Sequence, residues 1–339
     1  MSTLMQAFVM TGYGGPDKTE MRDMLIPKAG PGEVVIMVRA AGLNPVDYKI
    51  REGELRPVLR FSMPQIMGNE LAGTVEALGE GVTGFALGDR VFARVPKDRM
   101  GALAQVAAVP AKDCAKMPDG LSFEHAAAVP LAGLTALQAL RDELDLRPGQ
   151  HVFISAGAGG VGSFAIPIAK WLGAEVTTTA SSRGRELVER LGADRVVDYE
   201  NERFEDVLSD VDAAFDLIGG ETLERTFGIV KEGGKVVSIA GTPEPETARK
   251  DLDGGLGLRA LFWIASFKVR AQAARHGVDY RFLLMHPDGA ELAELAGLIE
   301  DGTIDPVVDR TFPFSETKEA MAYLEDGHAK GKVVVTIND

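Results

Sequence analysis

A run of glycines near the middle of the chain has the spacing of a dinucleotide-binding turn. Gly157, Gly159 and Gly162 form a Gly-x-Gly-x-x-Gly pattern within SAGAGGVGSFA. The residues before the run predict an apolar strand and those after it an apolar helix, which is the context that this pattern requires. There the first glycine makes the turn, the second admits backbone N–H groups to a pyrophosphate, and the third lets helix and strand pack closely. The run therefore predicts a dinucleotide site rather than a loop that merely turns.

The residues after the next predicted strand indicate which nicotinamide cofactor binds. An NAD site places an Asp or Glu at the end of that strand, where it accepts a hydrogen bond from the ribose 2′-hydroxyl. Here the strand is followed by Ser181, Ser182, Arg183 and Arg185, with no carboxylate among them. Hydroxyl and guanidinium groups suit a 2′-phosphate, which Arg binds through paired hydrogen bonds. The pattern favours NADPH over NADH.

The polar pair Asn69 and Glu70 stands inside the otherwise apolar or glycine-containing stretch IMGNELAG. A buried carboxylate is costly unless it is paired, so Glu70 is a metal ligand, an acid/base group or a structural hydrogen-bonding residue. Zinc sites use three or four Cys, His or carboxylate ligands. The five histidines are scattered and Cys114 is the single cysteine. The ligand count therefore argues against a transition-metal site.

Length and charge bound the class of protein. A chain of 339 residues suggests about two domains. A net charge of −14 argues against nucleic acid or an anionic membrane as the main partner. No apolar run reaches the ~18 residues of a membrane-spanning helix, and the first residues lack the pattern of a secretion signal. These features predict a cytoplasmic protein, and the single cysteine excludes an internal disulfide framework.

The pattern of predicted elements changes about a third of the way along the chain. Strands separated by Gly, Pro and Asp are predicted over 33–43, 71–81, 89–96 and 102–110. From about residue 128, apolar strands alternate with helices, which is typical of a doubly wound parallel sheet. One helix is then predicted over 256–277, a strand over 280–285 and a helix over 289–302. The tail predicts a strand over 307–312, a helix over 316–325 and a final strand.

Seven stretches spread over nearly the whole chain carry a family resemblance. They are AAGLNPVDYKIREG, GNELAGTVEALGEGV, GDRVFA, AAAVPLAGLTALQAL, AGAGGVGSFAIPIAKWLGAEV, LGADRVVDY and AKGKVVV. They resemble the medium-chain dehydrogenase/reductase superfamily, and in it the zinc-independent NADPH quinone oxidoreductase and enone reductase branch. The resemblance implies an α/β protein with a GroES-like β-rich catalytic domain over 1–127 and 300–339. A Rossmann domain, which binds NADP(H) on a doubly wound parallel sheet, is implied over 128–299.

The resemblance also implies which residues hold the cofactor. The pyrophosphate would lie on Gly157, Gly159, Gly160, Val161 and Gly162. Ser181, Arg185 and Tyr199 resemble the family's contacts with the 2′-phosphate and the adenine, although Tyr199 also fits an ordinary strand-end residue. Further contacts are implied for Ile218 and Gly219 near the ribose, for Ala240, Gly241, Asn44 and Thr135 near the nicotinamide, and for Lys332 closing on the cofactor.

The same resemblance bears on the metal question. In the zinc alcohol dehydrogenases of the superfamily, the position of Asn69 carries a zinc-binding histidine, and a cysteine ligand lies in the segment that here contains Asn44 and Asp47. The departure agrees with the count of ligands made from composition alone. Glu70 is then expected to orient polar groups beneath the nicotinamide pocket rather than to act directly as an acid or base.

Reduction without a metal points to acceptors that disperse negative charge. Quinones and α,β-unsaturated carbonyls do so, and a hydrogen-bond donor near their oxygen adds stabilisation. Tyr48 and Asn44 are the candidate donors, while Asp47 is expected to cap a turn. Tyr48 as the proton donor competes with protonation from solvent. The sequence predicts a quinone reductase, with enal or enone double-bond reduction as the alternative and a non-catalytic NADPH-binding or structural protein as a second alternative.

Two further segments suggest contacts. The aromatic residues Phe262, Trp263 and Phe267 either wall the substrate site or pack in the core or a dimer contact. The predicted strand over 280–285 is a suitable sheet edge for pairing across a two-fold axis, as in the fold that the chain resembles. A homodimer is therefore expected.

Overall fold

The computed structural model describes residues 3–338, which form two compact units. The first comprises the described residues of Met1–Leu134 and His286–Asp339, and the second comprises Thr135–Met285. Met1, Ser2 and Asp339, at the ends of the predicted catalytic domain, lie outside the described residues. The units divide at 134/135 and 285/286, whereas the sequence-based boundaries at 127/128 and 299/300 stay a prediction of the domain limits.

The described residues contain sixteen strands and twelve α-helices. The strands are β1 Leu4–Met10, β2 Thr19–Leu25, β3 Glu33–Leu43, β4 Gln65–Ile66, β5 Glu70–Leu78, β6 Arg90–Arg94, β7 Val106–Pro110, β8 Cys114–Lys116, β9 His151–Ile154, β10 Glu175–Ala180, β11 Arg195–Asp198, β12 Val211–Asp216, β13 Val230–Ser238, β14 Asp279–Phe282, β15 Val308–Pro313 and β16 Lys332–Thr336. The helices are α1 Pro45–Glu52, α2 Phe123–Ala127, α3 Pro130–Leu137, α4 Gly162–Trp171, α5 Arg185–Arg190, α6 Phe204–Val207, α7 Gly220–Thr226, α8 Pro245–Lys250, α9 Leu256–Ala265, α10 Phe267–Arg275, α11 Gly289–Glu300 and α12 Thr317–Glu325.

The first unit is built on a seven-stranded sheet. Six of its strands follow the order β15-β16-β3-β5-β6-β8, and β7 also pairs with β3. β3 is the longest strand, and its sequence EVVIMVRAAGL is apolar enough to be buried along most of its length. β3 pairs antiparallel with both β16 and β5. This arrangement brings the end of β3 between the starts of β16 and β5.

The second unit is built on a parallel sheet of six strands in the order β11-β10-β9-β12-β13-β14. All five strand pairs are parallel. Counted from β9, the order is 3-2-1-4-5-6, which is that of a doubly wound nucleotide-binding fold. The α/β prediction and its parallel sheet are therefore confirmed.

The topology of the second unit also locates a binding crevice. The chain moves from β9 outward to β10 and β11, then returns to the other side of β9 to build β12, β13 and β14. Helices on either side of such a reversal diverge, and ligands bind at the carboxyl ends of the strands there. The glycine run lies at that end, between β9 and α4.

A helix occupies a segment that the sequence predicts only as a turn and cap. α1 starts directly after β3, with Asn44 as N-cap and Pro45 in its first turn. The backbone N–H of Asn44 donates to the Asp47 carboxylate at 2.8 Å, half of a capping box. Gly53 ends the helix in the left-handed conformation, with φ of +89°. The predicted capping role of Asp47 thus belongs to a full helix.

The single helix predicted over 256–277 is wrong, because two helices meet at Ser266. Its ψ of 5° departs from helical geometry. The buried Ser266 hydroxyl donates to the Phe262 carbonyl at 2.6 Å and so competes with the backbone for that acceptor. The Arg270 side chain donates to the same hydroxyl at 3.0 Å. These side-chain bonds stabilise a break that the apolar periodicity does not reveal.

Other boundaries move by a few residues. The strand predicted over 102–110 forms only at Val106–Pro110, and the one predicted over 280–285 forms at Asp279–Phe282. β1 and β2, which were not predicted individually, pair through seven residues each. Within residues 3–338, every helix is too short or too polar to cross a lipid bilayer.

Candidate active site

Three strand ends in the first unit bring together residues that are far apart in the sequence. Asn44 follows the last residue of β3, Glu70 is the first residue of β5 and Lys332 is the first residue of β16. The register pairs Gly42 with Glu70 and Leu43 with Val333. All three polar side chains are buried.

Glu70 is the centre of this group. Its Oε1 accepts hydrogen bonds from Asn44 Nδ2 and from Lys332 Nζ, both at 2.7 Å. Its Oε2 accepts from the backbone N–H of Leu131 at 2.6 Å. Both carboxylate oxygens are therefore occupied by donors, one of them a cation. The expected role of Glu70 in orienting polar groups stays a prediction, but these contacts are what that role needs.

Lys332 uses its whole donor capacity inside this group. Besides Glu70, the ammonium donates to the Leu43 carbonyl at 2.9 Å and to the Asn44 side-chain oxygen. An ammonium has three N–H donors, so none is left for a ligand. The predicted contact of Lys332 with the cofactor is untested, and this geometry favours an effect exerted through Asn44.

Asn44 retains one donor. Its amide oxygen accepts from Lys332, and one of its two Nδ2 hydrogens goes to Glu70. The second hydrogen is available to a substrate or cofactor oxygen. Lys332 and Glu70 together allow only one orientation of this amide, because an exchange of its oxygen and nitrogen would place Nδ2 against the ammonium.

A second buried pair lies next to the first. Asn69 Nδ2 donates to Asp47 Oδ1 at 2.7 Å. Burial raises the pKa of Asp47 to about 6, despite the opposing effects of the Asn69 and Asn44 hydrogen bonds and of the Lys332 charge. The side-chain oxygen of Asn69 is buried and has no hydrogen-bond partner among residues 3–338.

Arg94 completes the buried group. Its guanidinium donates to the Asn69 carbonyl at 3.0 Å and to the Val95 carbonyl. Burial lowers the pKa of Arg94 to about 10, although the Glu70 and Asp47 carboxylates favour its charged form. At neutral pH it stays protonated. Arg94 and Asp47 are functional-site neighbours whose contacts with Asn69 the sequence alone does not reveal.

Tyr48 is half-buried on α1, one turn after Asn44. Burial, together with the negative charges of Glu325, Glu52 and Glu54, raises the pKa of its hydroxyl. The hydroxyl is therefore protonated throughout the neutral range. Tyr48 can therefore donate a hydrogen bond and is unsuited to act as a base, while the raised pKa also makes its hydroxyl a weaker acid.

The glycine run of the second unit forms a tight turn that excludes side chains. A Cβ on Gly157 would lie 2.2 Å from Thr178 Oγ1, and one on Gly162 would lie 2.4 Å from the Ala156 carbonyl oxygen. Gly159 is less restricted, with its nearest such contact at 3.3 Å. α4 begins at Gly162, and its positive N-terminal end favours an anion, although the Ser163 N–H donates to the Gly159 carbonyl at 2.9 Å and the Phe164 N–H to the Val161 carbonyl at 3.1 Å. The turn fits a pyrophosphate.

Gly160 and Val161 complete the run and lead into α4. The Gly160 carbonyl accepts from the Ser163 hydroxyl at 3.0 Å, and the Val161 carbonyl accepts from the Ala165 N–H at 2.9 Å. Their carbonyls are therefore turned into the helix. Such an arrangement points the N–H side of the turn away from α4.

Asp216 is a buried carboxylate that the sequence interpretation missed. It accepts from Ser238 Oγ at 2.6 Å and from the Gly219 N–H at 3.0 and 3.1 Å. Ser155 Oγ lies 3.5 Å from it and accepts in turn from the Leu217 N–H. Asp216 thus ties together the ends of β9, β12 and β13. A charged residue at the end of the apolar run DAAFD, just before Leu-Ile-Gly-Gly, was the available signal.

The loops after β12 and β13 pack closely on one another. A Cβ on Gly219 would lie 2.2 Å from the Ala240 carbonyl oxygen, and one on Gly241 would lie 2.4 Å from the Tyr280 hydroxyl. Ile218, directly before Gly219 in the chain, is half exposed. The structure therefore brings the predicted ribose and nicotinamide segments together. Thr135 is buried in α3 and belongs to the same unit.

The residues predicted to contact the 2′-phosphate lie around the ends of β10 and β11. The Ser182 hydroxyl donates to Asp198 at 2.7 Å, and this bond lowers the pKa of that carboxyl. Ser181 is half-buried, Arg185 begins α5 and the Tyr199 ring is exposed. The carboxylate that accepts from Ser182 thus lies at the end of β11, the third strand of the fold, rather than at the end of β10, the second.

Comparison with known proteins identifies the relatives of this chain. It matches the family described as alcohol dehydrogenase GroES-like domain over residues 30–119 and the one described as zinc-binding dehydrogenase over residues 191–335. It is 34% identical to the mitochondrial NAD(P)H oxidoreductase RTN4IP1 of Danio rerio, covering 99% of this chain and 92% of that protein. It is also 34% identical to the chloroplastic NADPH-dependent alkenal/one oxidoreductase of Arabidopsis thaliana, covering 98% of this chain and 79% of the relative.

A solved structure agrees with this result. The quinone oxidoreductase of Coxiella burnetii superposes with a TM-score of 0.85 at 31% identity, covering 99% of this chain and all of that chain. A GroES-like unit and a parallel-sheet nucleotide-binding unit together define a two-domain NAD(P)H-dependent oxidoreductase. The chain belongs to the medium-chain dehydrogenase/reductase superfamily, in its quinone oxidoreductase branch. The resemblance seen in the sequence is confirmed.

The description of one matched family names zinc, so the residues present were tested against a zinc site. Among residues 3–338, no three His, Cys, Asp or Glu side chains are placed to hold a metal ion. Glu70 is already paired with the Lys332 ammonium, whose charge would repel a divalent cation. Asn69 offers an amide where a thiolate or imidazole would suit zinc. The residues do not fit a zinc site.

We expect Asp47→Asn to change how stability depends on pH. The folded pKa of about 6 exceeds the unfolded value, so the stability contributed by Asp47 is complete below about pH 4 and is lost as the pH rises through about 6. An Asn side chain at this position does not ionise, so the variant does not lose this stability as the pH rises. The variant should therefore gain about 2 kcal/mol in free energy of unfolding relative to the wild type between about pH 4.5 and 7.5. Urea unfolding at each pH measures the difference.

Asp89→Asn is the matched control, because the pKa of the half-buried Asp89 is lowered by its hydrogen bond with Lys116. Its stabilising effect is present above the unfolded pKa and is lost as the pH falls through the folded one, so the sign is opposite. A difference between wild type and Asp47→Asn that stays flat across this range would contradict the assignment.

Proposed function

We propose that this protein reduces quinones and related conjugated carbonyls by hydride transfer from NADPH, without a zinc ion. The observation that carries the proposal is the amide of Asn44, which Glu70 and Lys332 hold in one orientation with one N–H still available. An oriented, uncharged hydrogen-bond donor suits a hydride acceptor that spreads the developing negative charge over a conjugated system. It does not supply the strong polarisation that an isolated carbonyl needs.

The residues of the first unit divide the work on the acceptor. The bound cofactor supplies the hydride. Asn44 donates its remaining hydrogen to the acceptor oxygen, where negative charge develops. Lys332 strengthens this donor, because its positive charge on the amide oxygen draws electron density away from Nδ2. Tyr48 supplies the second hydrogen bond or the proton.

The choice of NADPH rests on the end of β10. The segment from Ser181 to Arg185 offers hydroxyl and guanidinium groups without a carboxylate of its own. Ser181, Ser182 and Arg185 are the residues assigned to the 2′-phosphate; in the structure Ser182 donates to Asp198 at 2.7 Å and Arg185 pairs with Glu189 at 3.4 Å. The Arabidopsis relative is named for NADPH dependence. Gly157, Gly159, Gly160, Val161 and Gly162 are assigned to the pyrophosphate.

The predicted assembly is a homodimer formed through β14. This strand is one edge of the six-stranded sheet, so its outer side has no neighbouring strand within the described residues. Pairing of β14 with itself across a two-fold axis would cover that edge. A cytoplasmic location also stays a prediction, since the two relatives described above are mitochondrial and chloroplastic.

A panel of acceptors tests the function. We expect NADPH oxidation with quinones and with enals or enones, and none with simple saturated aldehydes. NADPH should be used in preference to NADH at equal concentration. Product analysis separates a hydroquinone from a saturated carbonyl, the two outcomes suggested by the names of the relatives. Oxidation of neither class of acceptor, with the cofactor bound, would favour a non-catalytic role.

We expect Lys332→Met to lower kcat by about 10- to 100-fold, since Asn44 loses both its orientation and its polarisation. The Kd for NADPH should change much less, because the ammonium has no free donor for the cofactor. Lys332→Arg should restore part of kcat. Steady-state kinetics and cofactor titration measure the two effects. Lys116→Met, which removes an exposed lysine in the same unit, is the control; an equal loss of NADPH affinity and kcat would assign Lys332 to cofactor binding instead.

We expect Tyr48→Phe to lower kcat at saturating NADPH by about 100-fold, because the general acid is lost. Tyr323→Phe is the matched control, since its hydroxyl donates to Asp309 elsewhere in the same unit. An unchanged kcat for Tyr48→Phe would show that the proton comes from solvent.

A further inference from the structure

Helix α9 presents large apolar side chains to solvent. Leu256 is 80% exposed, Ile264 67% and Trp263 53%, while Leu261 and, at the start of α10, Phe267 are also more than half exposed. Large apolar side chains that cluster on a surface mark a contact with another molecule, whereas single ones do not. We call these five residues together the α9 surface.

The packing of α9 prevents this surface from turning inward. Phe262 points to the opposite side of the helix and is buried, and so is Ser266 at the junction with α10. Leu256, Trp263 and Ile264 follow a spacing of i, i+7 and i+8, which places them on one side of a helix. Since one side is anchored in the second unit, the other is held toward solvent.

The segment of sequence that carries the α9 surface has a net charge of opposite sign to that of the whole chain. Between Asp253 and Asp279 the only charged residues are the cations Arg259, Lys268, Arg270 and Arg275, whereas the whole chain carries −14. Arg259 and Arg275 are exposed, and no ion pair is found for either of them among the described residues.

The other two cations are held near the surface by the protein itself. Arg270 lies over the Trp263 ring, 5.4 Å from its centroid, and donates to the Trp263 carbonyl at 2.9 Å. Lys268 pairs with Glu224 at 2.7 Å, but its side chain is still 82% exposed. Aromatic and aliphatic side chains bordered by cations are thus combined in one segment.

We propose that the α9 surface docks on the face of an anionic lipid bilayer, with α9 lying in the plane of the interface. Helices that bind in this way combine Trp, Phe and Leu on one side with Lys or Arg at its borders. Trp favours the level of the lipid headgroups, and the cations are attracted to anionic lipids. The rest of the chain is net negative, so anionic lipids favour an approach through this cationic segment.

Charge argues against a second copy of this chain as the occupant. A two-fold contact places the same patch on both partners, so the unpaired Arg259 and Arg275 of one copy would face the same cationic segment of the other, which contains no acidic residue to offset them. The lipid surface supplies the missing negative charge. This inference does not depend on which acceptor the enzyme reduces.

Vesicle binding of the full-length protein tests the proposal. Vesicles of phosphatidylcholine alone are compared with vesicles that contain phosphatidylglycerol as a minor component, by co-sedimentation. We expect binding only to the anionic vesicles and weaker binding at raised salt. In a Trp171→Phe background Trp263 is the only tryptophan, and its emission should shift to shorter wavelength on binding.

Variants assign the binding to the α9 surface. Arg259→Glu with Arg275→Glu, and separately Trp263→Ser with Ile264→Ser, should each lower the partition coefficient by about tenfold or more. Arg190→Glu and Trp171→Ser, at exposed positions elsewhere in the second unit, should leave it unchanged. Equal binding to both vesicles, no binding, or binding unaffected by the α9 variants would overturn the proposal. So would a change of oligomeric state in the Trp263→Ser/Ile264→Ser variant without lipid, since that would assign the surface to self-association.

Discussion

The buried carboxylate of Glu70 is the constraint on which the strand ends of the first unit depend. A buried charge that loses its partner costs about 3–5 kcal/mol, so Asn44, Lys332 and the Leu131 N–H must all stay in place. These groups come from distant parts of the chain and meet only if β5, β3 and β16 keep their register. The fit is tight: a Cβ on Gly42 would lie 2.4 Å from Glu70 Oε1. The same interaction that stabilises the strand ends therefore orients the amide of Asn44, which keeps one N–H donor.

The second unit also contains a buried carboxylate, but neutral groups rather than a cation stabilise it. Asp216 is also a buried carboxylate at a strand end, but its hydrogen-bond partners are hydroxyl and backbone N–H groups, and burial raises the pKa of its carboxyl. Neutral donors hold the glycine-containing loops after β9, β12 and β13 in fixed positions without placing a cation there. A cation beside Asp216 would compete for it with those N–H groups. One carboxylate thus holds the polar residues proposed to contact the acceptor, and the other holds the loops proposed to contact the cofactor.

Average properties conceal local ones in this chain. A net charge of −14 correctly describes the whole sequence, yet the segment between Asp253 and Asp279 is purely cationic and carries the α9 surface. The expectation that no membrane is involved came from that average. An apolar sequence such as that of α9 fits a buried helix as well as an exposed one. The solvent exposure of Trp263 and its neighbours in the structure shows that α9 is exposed. The break between α9 and α10 at Ser266 is likewise not predictable from composition, because a side-chain hydrogen bond stabilises it.

The sequence by itself determined the parallel sheet, the glycine turn and the family, because each depends on local order along the chain: alternation of strand and helix, or spacing within six residues. It also located Asn44, Tyr48, Glu70 and Lys332 as residues of interest. Only the tertiary structure decided what these residues do to one another. Lys332 and Glu70 are 262 positions apart, and Ser182, in the turn after β10, is 16 positions from Asp198 at the end of β11. Such pairs form where strand register and burial bring them together, and no spacing rule along a single chain encodes that meeting.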